Sequence, residues 1–352
     1  LAVRGFEMNA IICSNCHTAN RLGANYCVAC GRKLQGQPGE LPSDYGEPTT
    51  KPLNDTYIST LEAPPGTVAK SETEAEGTTL SLKSDGGRDA SPARLCFGFR
   101  TDVGRLRKLN EDSYLVLDLS CNNRSTGRTL GLFVVADGMG GHDSGEIASG
   151  LFIQTFARHA AANLLVEMMS ADEFAPDRLV AKLEEAVQAG NKAVYERAQQ
   201  AGNDMGTTAV AALVIDNEAY VAHVGDSRAY LINAAGVRQI TTDHSLVERL
   251  VAAGEITRHQ ARYHPHAHVI VRTIGDSPAV EIDRNYVRLL AGDALLLCSD
   301  GLSNMISEEG LRQVISGAKS PQVACDALVA AANDAGGEDN ITVILVQREI
   351  LA

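Results

Sequence analysis

The chain has 352 residues, 44% of them hydrophobic, and a formal net charge of −13. The acidic balance argues against gripping a nucleic acid backbone, and no apolar run approaches the roughly 18 residues a membrane span needs. Eight cysteines are too few for a disulfide scaffold of this length, and four of them cluster, which reads as metal ligation in a reducing, cytoplasmic compartment.

No basic region leads into an apolar stretch at the N-terminus, so no secretory signal is expected. The sequence starts at Leu1, with Met8 an alternative start. Residues 10–35 form a small module in which Cys13-x2-Cys16 is followed by Cys27-x2-Cys30. Two such knuckles supply four thiolates for a tetrahedral Zn2+, and the metal supplies most of the folding energy of so short a unit. The second knuckle, with Gly31 after it, resembles a zinc ribbon. Its basic residues are few, so docking of a protein partner is expected ahead of nucleic acid. Residues 36–92 hold seven of the eleven prolines with Gly, Ser, Thr and Glu. Such a composition cannot bury a core and reads as a flexible linker, with a short Thr/Glu-rich docking segment as the alternative.

From residue 93 to 350 the pattern is that of one globular domain. Apolar runs at 130–136, 207–215, 219–224, 229–232, 294–298 and 341–347 read as strands by length and β-branched content. Residues 145–168 and 178–200 carry helical spacing, and a further helix opens with Ser320 as N-cap and Pro321 at its first position, with Gly336 after its end. Sheets covered by helices follow, an α/β or α+β layered fold.

Carboxylates recur where these strands stop. "LFVVA" ends at Asp137-Gly138, "VAHV" at Gly225-Asp226, and "LLLC" at Ser299-Asp300-Gly301, while Asp339 precedes "ITVILV". A single Asp-Gly is an ordinary turn. Four at strand ends, if their loops converge, would repel one another unless a hard divalent cation sits among them. Mg2+ and Mn2+ suit an all-oxygen site, and a pair of them can activate a water and clamp a phosphoryl oxygen. Glycine after the aspartate lets a backbone carbonyl approach. "GRLRKLNEDSYLV" places Arg105, Arg107 and Lys108 before Glu111, and arginine grips phosphate through a planar fork. A dinucleotide fingerprint fails, because Asp143 stands where its third glycine belongs.

Taken in order, "TDVGRLRKLNEDSYLV", "VADGMGGHDSGEIAS", "GTTAVAALV", "AYVAHVGDSRAYLI", "TTDHSLVERLVAAGEIT", "HVIVRTIG", "GDALLLCSDGLSNMI" and "GGEDNITVILV" resemble the bacterial type of the metal-dependent protein serine/threonine phosphatases, type 2C. The resemblance implies an α+β fold, a central antiparallel β-sandwich flanked by pairs of helices. It implies Mn2+ or Mg2+, two ions with a possible third, and direct attack of a metal-activated water on phosphoserine or phosphothreonine of protein substrates, the partners of serine/threonine kinases. Asp137 matches the ligand bridging both ions, the Gly138 carbonyl a ligand to one, and Asp300 and Asp339 the ligands completing the pair. Glu111 matches an acid acting through water, Asp226 a ligand of a weaker third ion, and Arg107 the phosphate-binding arginine. Residues 245–275 match a mobile flap. Two positions depart from the family pattern. Met139 stands where some members carry a histidine acid, leaving His142 or water as the proton donor, and Asn304 replaces a common aspartate. Cys96, Cys121, Cys298 and Cys325 read as packing residues. The competing reading is an idle scaffold of the same fold whose zinc ribbon binds a protein or nucleic acid partner.

Overall fold

The computed structural model describes residues 10–12, 19–21, 93–123, 126–140, 144–164, 166 and 176–350. The chain divides into two compact units, Leu1–Ser84 and Asp85–Ala352. In the first, strands β1 (Ala10–Ile12) and β2 (Ala19–Arg21) pair antiparallel. The four clustered cysteines lie outside the described residues, as does the whole of the expected linker.

The second unit opens with β3 (Ala93–Asp102), β4 (Asp112–Asn123) and β5 (Thr126–Met139). Helix α1 (Ser144–His159) follows and ends in a π-helical turn, Ala160–Leu164, before α2 (Pro176–Ala201). Then come β6 (Gly206–Thr207), β7 (Ala209–Ile215), β8 (Glu218–Val224), β9 (Arg228–Asn233) and β10 (Gly236–Gln239). Short helices α3 (Leu246–Ala252) and α4 (Arg258–Ala261) precede β11 (Asp283–Arg288) and β12 (Ala294–Cys298). The chain closes with α5 (Asp300–Ser303), α6 (Glu308–Gly317), α7 (Pro321–Asp334) and β13 (Ile341–Ile350).

Two antiparallel sheets result, ordered β10-β9-β12-β13-β3 and β11-β8-β7-β5-β4, with β6 paired to β5. Strand alternation sorts the core into three layers. Along β5, Leu130, Leu132, Val134 and Ala136 face α1 and α2, joined by Phe152, Phe156 and Leu183. Phe133 and Val135 point the other way, onto Leu295, Leu297, Ile344 and Val346 of the second sheet. Leu296, Cys298, Val343 and Leu345 cover the outer face of that sheet with Leu311, Cys325 and Leu328 of α6 and α7. The outcome is the expected helix–sheet–sheet–helix sandwich.

Local chemistry explains the borders. Ser320 accepts from Val323 N, Pro321 takes the first turn, and Gly336 sits at φ 144 beyond the C-cap. Besides β1 and β2, four described strands of the second unit escape the sequence reading: β3, β4, β10 and β11. β10 and β11 are sheet edges, and β11 (DRNYVR) exposes every second residue, so no apolar run announces it. The helix expected over 145–168 ends its α-helical part at His159, where the π turn begins. The strand expected over 207–215 is broken at Thr208, whose backbone N–H donates to the Asp137 carbonyl. Cys298 and Cys325 are buried as expected; Cys96 is only half-buried, and its thiol donates to Glu349.

Candidate metal centre

Antiparallel pairing puts the exit of one strand beside the entry of its neighbour. The β4–β5 register sets Asp112 opposite Asp137. Ala209 lies opposite Val224, so the Gly225-Asp226-Ser227 turn emerges at the same end of that sheet. In the other sheet Cys298 faces Val343, which brings Asp300, just past β12, beside Asp339, just before β13. A hydrogen bond from Ser299 Oγ to Asp112 Oδ2 (2.8 Å) ties the two sheet ends together.

The electrostatics report the crowding. Burial first, then the charges of Asp112, Asp300, Asp226 and Asp339, push the Asp137 carboxyl well above the ordinary carboxylate range. Burial raises Asp112 to about 7, with Asp300 and Asp339 adding to it against hydrogen bonds from Thr342 and Ser299. Asp226 rises to about 8 through burial, then Asp300 and Asp243. Burial and Asp339 also raise Asp300. Oδ1 of Asp112 and Oδ1 of Asp300 are buried without a hydrogen-bond partner. A buried carboxylate oxygen left unpaired costs several kcal/mol on the order of its lost hydration. A divalent cation relieves both the repulsion and the missing partners, and the all-oxygen donor set is that of Mg2+ or Mn2+. The residues present therefore fit such ions.

Close backbone approach explains the glycine after Asp137. A Cβ on Gly138 would collide with the carbonyl oxygens of Gly145 and Glu111, while Gly138 N–H donates to Glu111 O at 3.1 Å. Asp137 is further held by its N–H to Thr208 Oγ1 (3.0 Å) and by Thr207 Oγ1 donating to its carbonyl (2.8 Å). Asn340 makes three hydrogen bonds to the backbone of the 103–111 loop. Its amide donates to the carbonyls of Val103 and Leu109 at 2.9 Å each and accepts from Glu111 N at 2.8 Å. The loop holds half-exposed Arg107 with Nη2 2.7 Å from Asp339 Oδ2 and Nη1 3.8 Å from Glu111.

Asp137, Gly138, Asp226, Asp300 and Asp339, with Glu111 and Arg107, are thus gathered at one end of the sandwich. Asn304 donates to Asp300 Oδ2 at 3.1 Å. His142 lies outside the described residues. The sequence reading assigned no role to Asp112, Ser299, Asn340 or Thr208. Only Asp112 carried a signal, a carboxylate at a strand entry; the others are ordinary polar residues until the strands pair.

Comparisons with known proteins place the chain in a family. The family model described as Protein phosphatase 2C matches residues 109–329. The serine/threonine phosphatase Stp of Listeria monocytogenes is 37% identical over 254 residues, covering 72% of this chain and 95% of that protein. Protein phosphatase PhpP of Streptococcus pneumoniae is 38% identical over 249 residues, covering 70% and 94%. The crystal structure of the Mycobacterium tuberculosis serine/threonine phosphatase PstP/Ppp superposes with a TM-score of 0.61 at 34% identity, covering 73% of this chain and all of that one. A structure of the PstP catalytic domain in complex with two manganese ions gives a TM-score of 0.60 at the same 34% identity, over 73% of this chain and 100% of that one. With its carboxylates at the strand ends of a two-sheet sandwich, and with these relatives, the chain belongs to the protein phosphatase 2C family.

Proposed function

We infer that the chain acts as a metal-dependent protein serine/threonine phosphatase, hydrolysing phosphoserine and phosphothreonine on protein substrates. The observation that carries the reading is the convergence of five buried or half-buried aspartates, two of them with partnerless oxygens, at one end of the sandwich. Asp137, the Gly138 carbonyl, Asp300 and Asp339 hold the ion pair, Glu111 borders it, and Asp226 serves a third, weaker ion. Manganese is supported by the PstP relative crystallised with two manganese ions. When bound, such a pair lowers the pKa of a water and offsets charge on the phosphoryl oxygens.

Arg107 receives the substrate phosphate. Its guanidinium is half-exposed and already oriented by Asp339 and Glu111, so the fork is preformed at the rim. His142 or water returns the proton to the leaving alkoxide. In the first unit, Cys13, Cys16, Cys27 and Cys30 hold a structural Zn2+, and that module docks a protein partner. Thiolate ligation of this kind suits a reducing cytoplasm. Among the described residues no helix is long and apolar enough to cross a membrane.

The test is phosphate release from a phosphothreonine peptide by wild type and Asp137→Ala, with Mn2+ and with EDTA. Mn2+-dependent turnover that EDTA and the substitution both abolish is expected. No turnover from a folded, Mn2+-loaded wild-type chain would refute the assignment.

A further inference from the structure

A second cluster of metal-ligating side chains lies beside the Gly225-Asp226 turn. In the β8–β11 register His223 stands directly opposite Asp283, and His244, just before α3, stacks on His223 with ring centroids 4.6 Å apart. One ligand atom from each of His223, His244 and Asp283 falls within 4.8 Å of the others. His223 is fully buried, and neither of its ring nitrogens makes a hydrogen bond of sound geometry. A buried imidazole with two idle nitrogens is costly unless something binds it. Burial, then the neighbouring His244, lowers its pKa to about 4, so the ring is neutral near pH 7 and its lone pair is available.

The cluster already attracts a cation. Arg272 Nη1 lies 2.9 Å from His244 Nε2 and 2.7 Å from Asp283 Oδ1, while its Nη2 reaches exposed Glu281 at 2.8 Å. His244 Nδ1 accepts from Gly225 N–H at 3.0 Å, so a neutral ring carries its proton on Nε2, which lies 3.3 Å from Asp283 Oδ2 and beside the guanidinium donor.

We propose that His223, His244 and Asp283 form a second metal site, selective for a borderline divalent ion of the Zn2+ class. Two imidazoles and one carboxylate are the donor set such ions favour, with a water completing the coordination. Binding at His244 Nε2 moves the ring proton to Nδ1, so it displaces both Arg272 and the Gly225 amide. Those losses are one backbone amide hydrogen bond and one partly exposed ion pair, each weaker than ligation of a divalent ion by two imidazoles and a carboxylate. Coordination wins. Arg272 has Glu281 to turn to, and acts as the gate. The Gly225 amide is released next to Asp226, so an ion here loosens the turn that carries that carboxylate.

The experiment counts Zn2+ bound per full-length chain, with excess Mg2+ on the carboxylate centre and a chromophoric chelator as competitor. Wild type is compared with His223→Gln, Asp283→Asn and Arg272→Gln, so ions held elsewhere, including by the cysteines, cancel in the difference. His223→Gln and Asp283→Asn should each bind one Zn2+ fewer than wild type. Arg272→Gln should keep that ion and hold it more tightly, because its competitor is gone. Asp283 is partly exposed, so its variant folds even where a change at buried His223 does not. Equal stoichiometry in wild type and a folded Asp283→Asn overturns the proposal.

Discussion

At the scale of single residues, the domain keeps ionisable groups where burial opposes their charge. Asp112 at about 7 and Asp226 at about 8 are held out of the ordinary carboxylate range chiefly by burial, which is the condition a hard cation reverses. His223 shows the same opposition with the other sign. Burial and His244 lower it to about 4 from an ordinary value of 6.5, with Asp243 and Asp283 opposing. Above pH 6.5 neither folded nor unfolded chain protonates this ring, so its titration takes nothing from stability there. Below that the unfolded chain takes the proton first, so stability falls until the folded ring titrates near pH 4. The shift corresponds to on the order of 3 kcal/mol. In chelator-treated protein, His223→Gln should therefore lose less stability than wild type between pH 6.5 and 4, read by thermal or urea unfolding. Parallel pH profiles for the two would refute a buried neutral His223.

Among the elements, the loop between β3 and β4 depends most on a single contact. Asn340, at the entry to β13, satisfies two carbonyls and one amide of residues 103–111, while the N–H of Arg105 reaches Gly337 O at 2.7 Å. The loop thus rides on the strand that also delivers Asp339, and Arg107 is aimed by the same residues that place a carboxylate. Asn340→Ala leaves those backbone groups unpaired, at about 1–3 kcal/mol. Its melting temperature should drop and KM for a phosphopeptide should rise well beyond the fall in kcat, as the arginine loses its aim. Unchanged KM would show that the loop is held without Asn340. The segment between β10 and β11, expected as a flap, carries α3 and α4. Ser245 caps the first, and a Thr257–Gln260 capping box opens the second. Its return strand is tied back through Ser245–Ile270 and Thr207–Ile274 bridges, the second beside the Asp137 backbone.

For the whole molecule, the comparisons bear on one of the two units. Relatives covered over 94–100% of their own length match only 70–73% of this chain, about the size of the second unit. If the proposed reading holds, the catalytic machinery is complete in that unit. Deleting residues 1–84 should leave Mn2+-dependent turnover of a phosphothreonine peptide unchanged, measured side by side with the full chain. Lost turnover in a folded truncation would make the first unit part of catalysis.

What the sequence by itself determined is local and chemical. Apolar period marked the central strands, Ser320-Pro321 marked a helix start, and Asp-Gly steps at strand ends named the donor atoms and hence the class of ion. Ordered motifs carried the family. The tertiary structure alone decided which of these meet. Asp112 became a partner of Asp137 through a register between strands that turn back on each other. Ser299 reached Asp112 across two sheets, and His223, His244 and Asp283 came together from a strand, a loop and a sheet edge. No local pattern encodes such meetings, because they are set by the pairing and packing of segments far apart in the chain, and those are chosen by burial of the whole core.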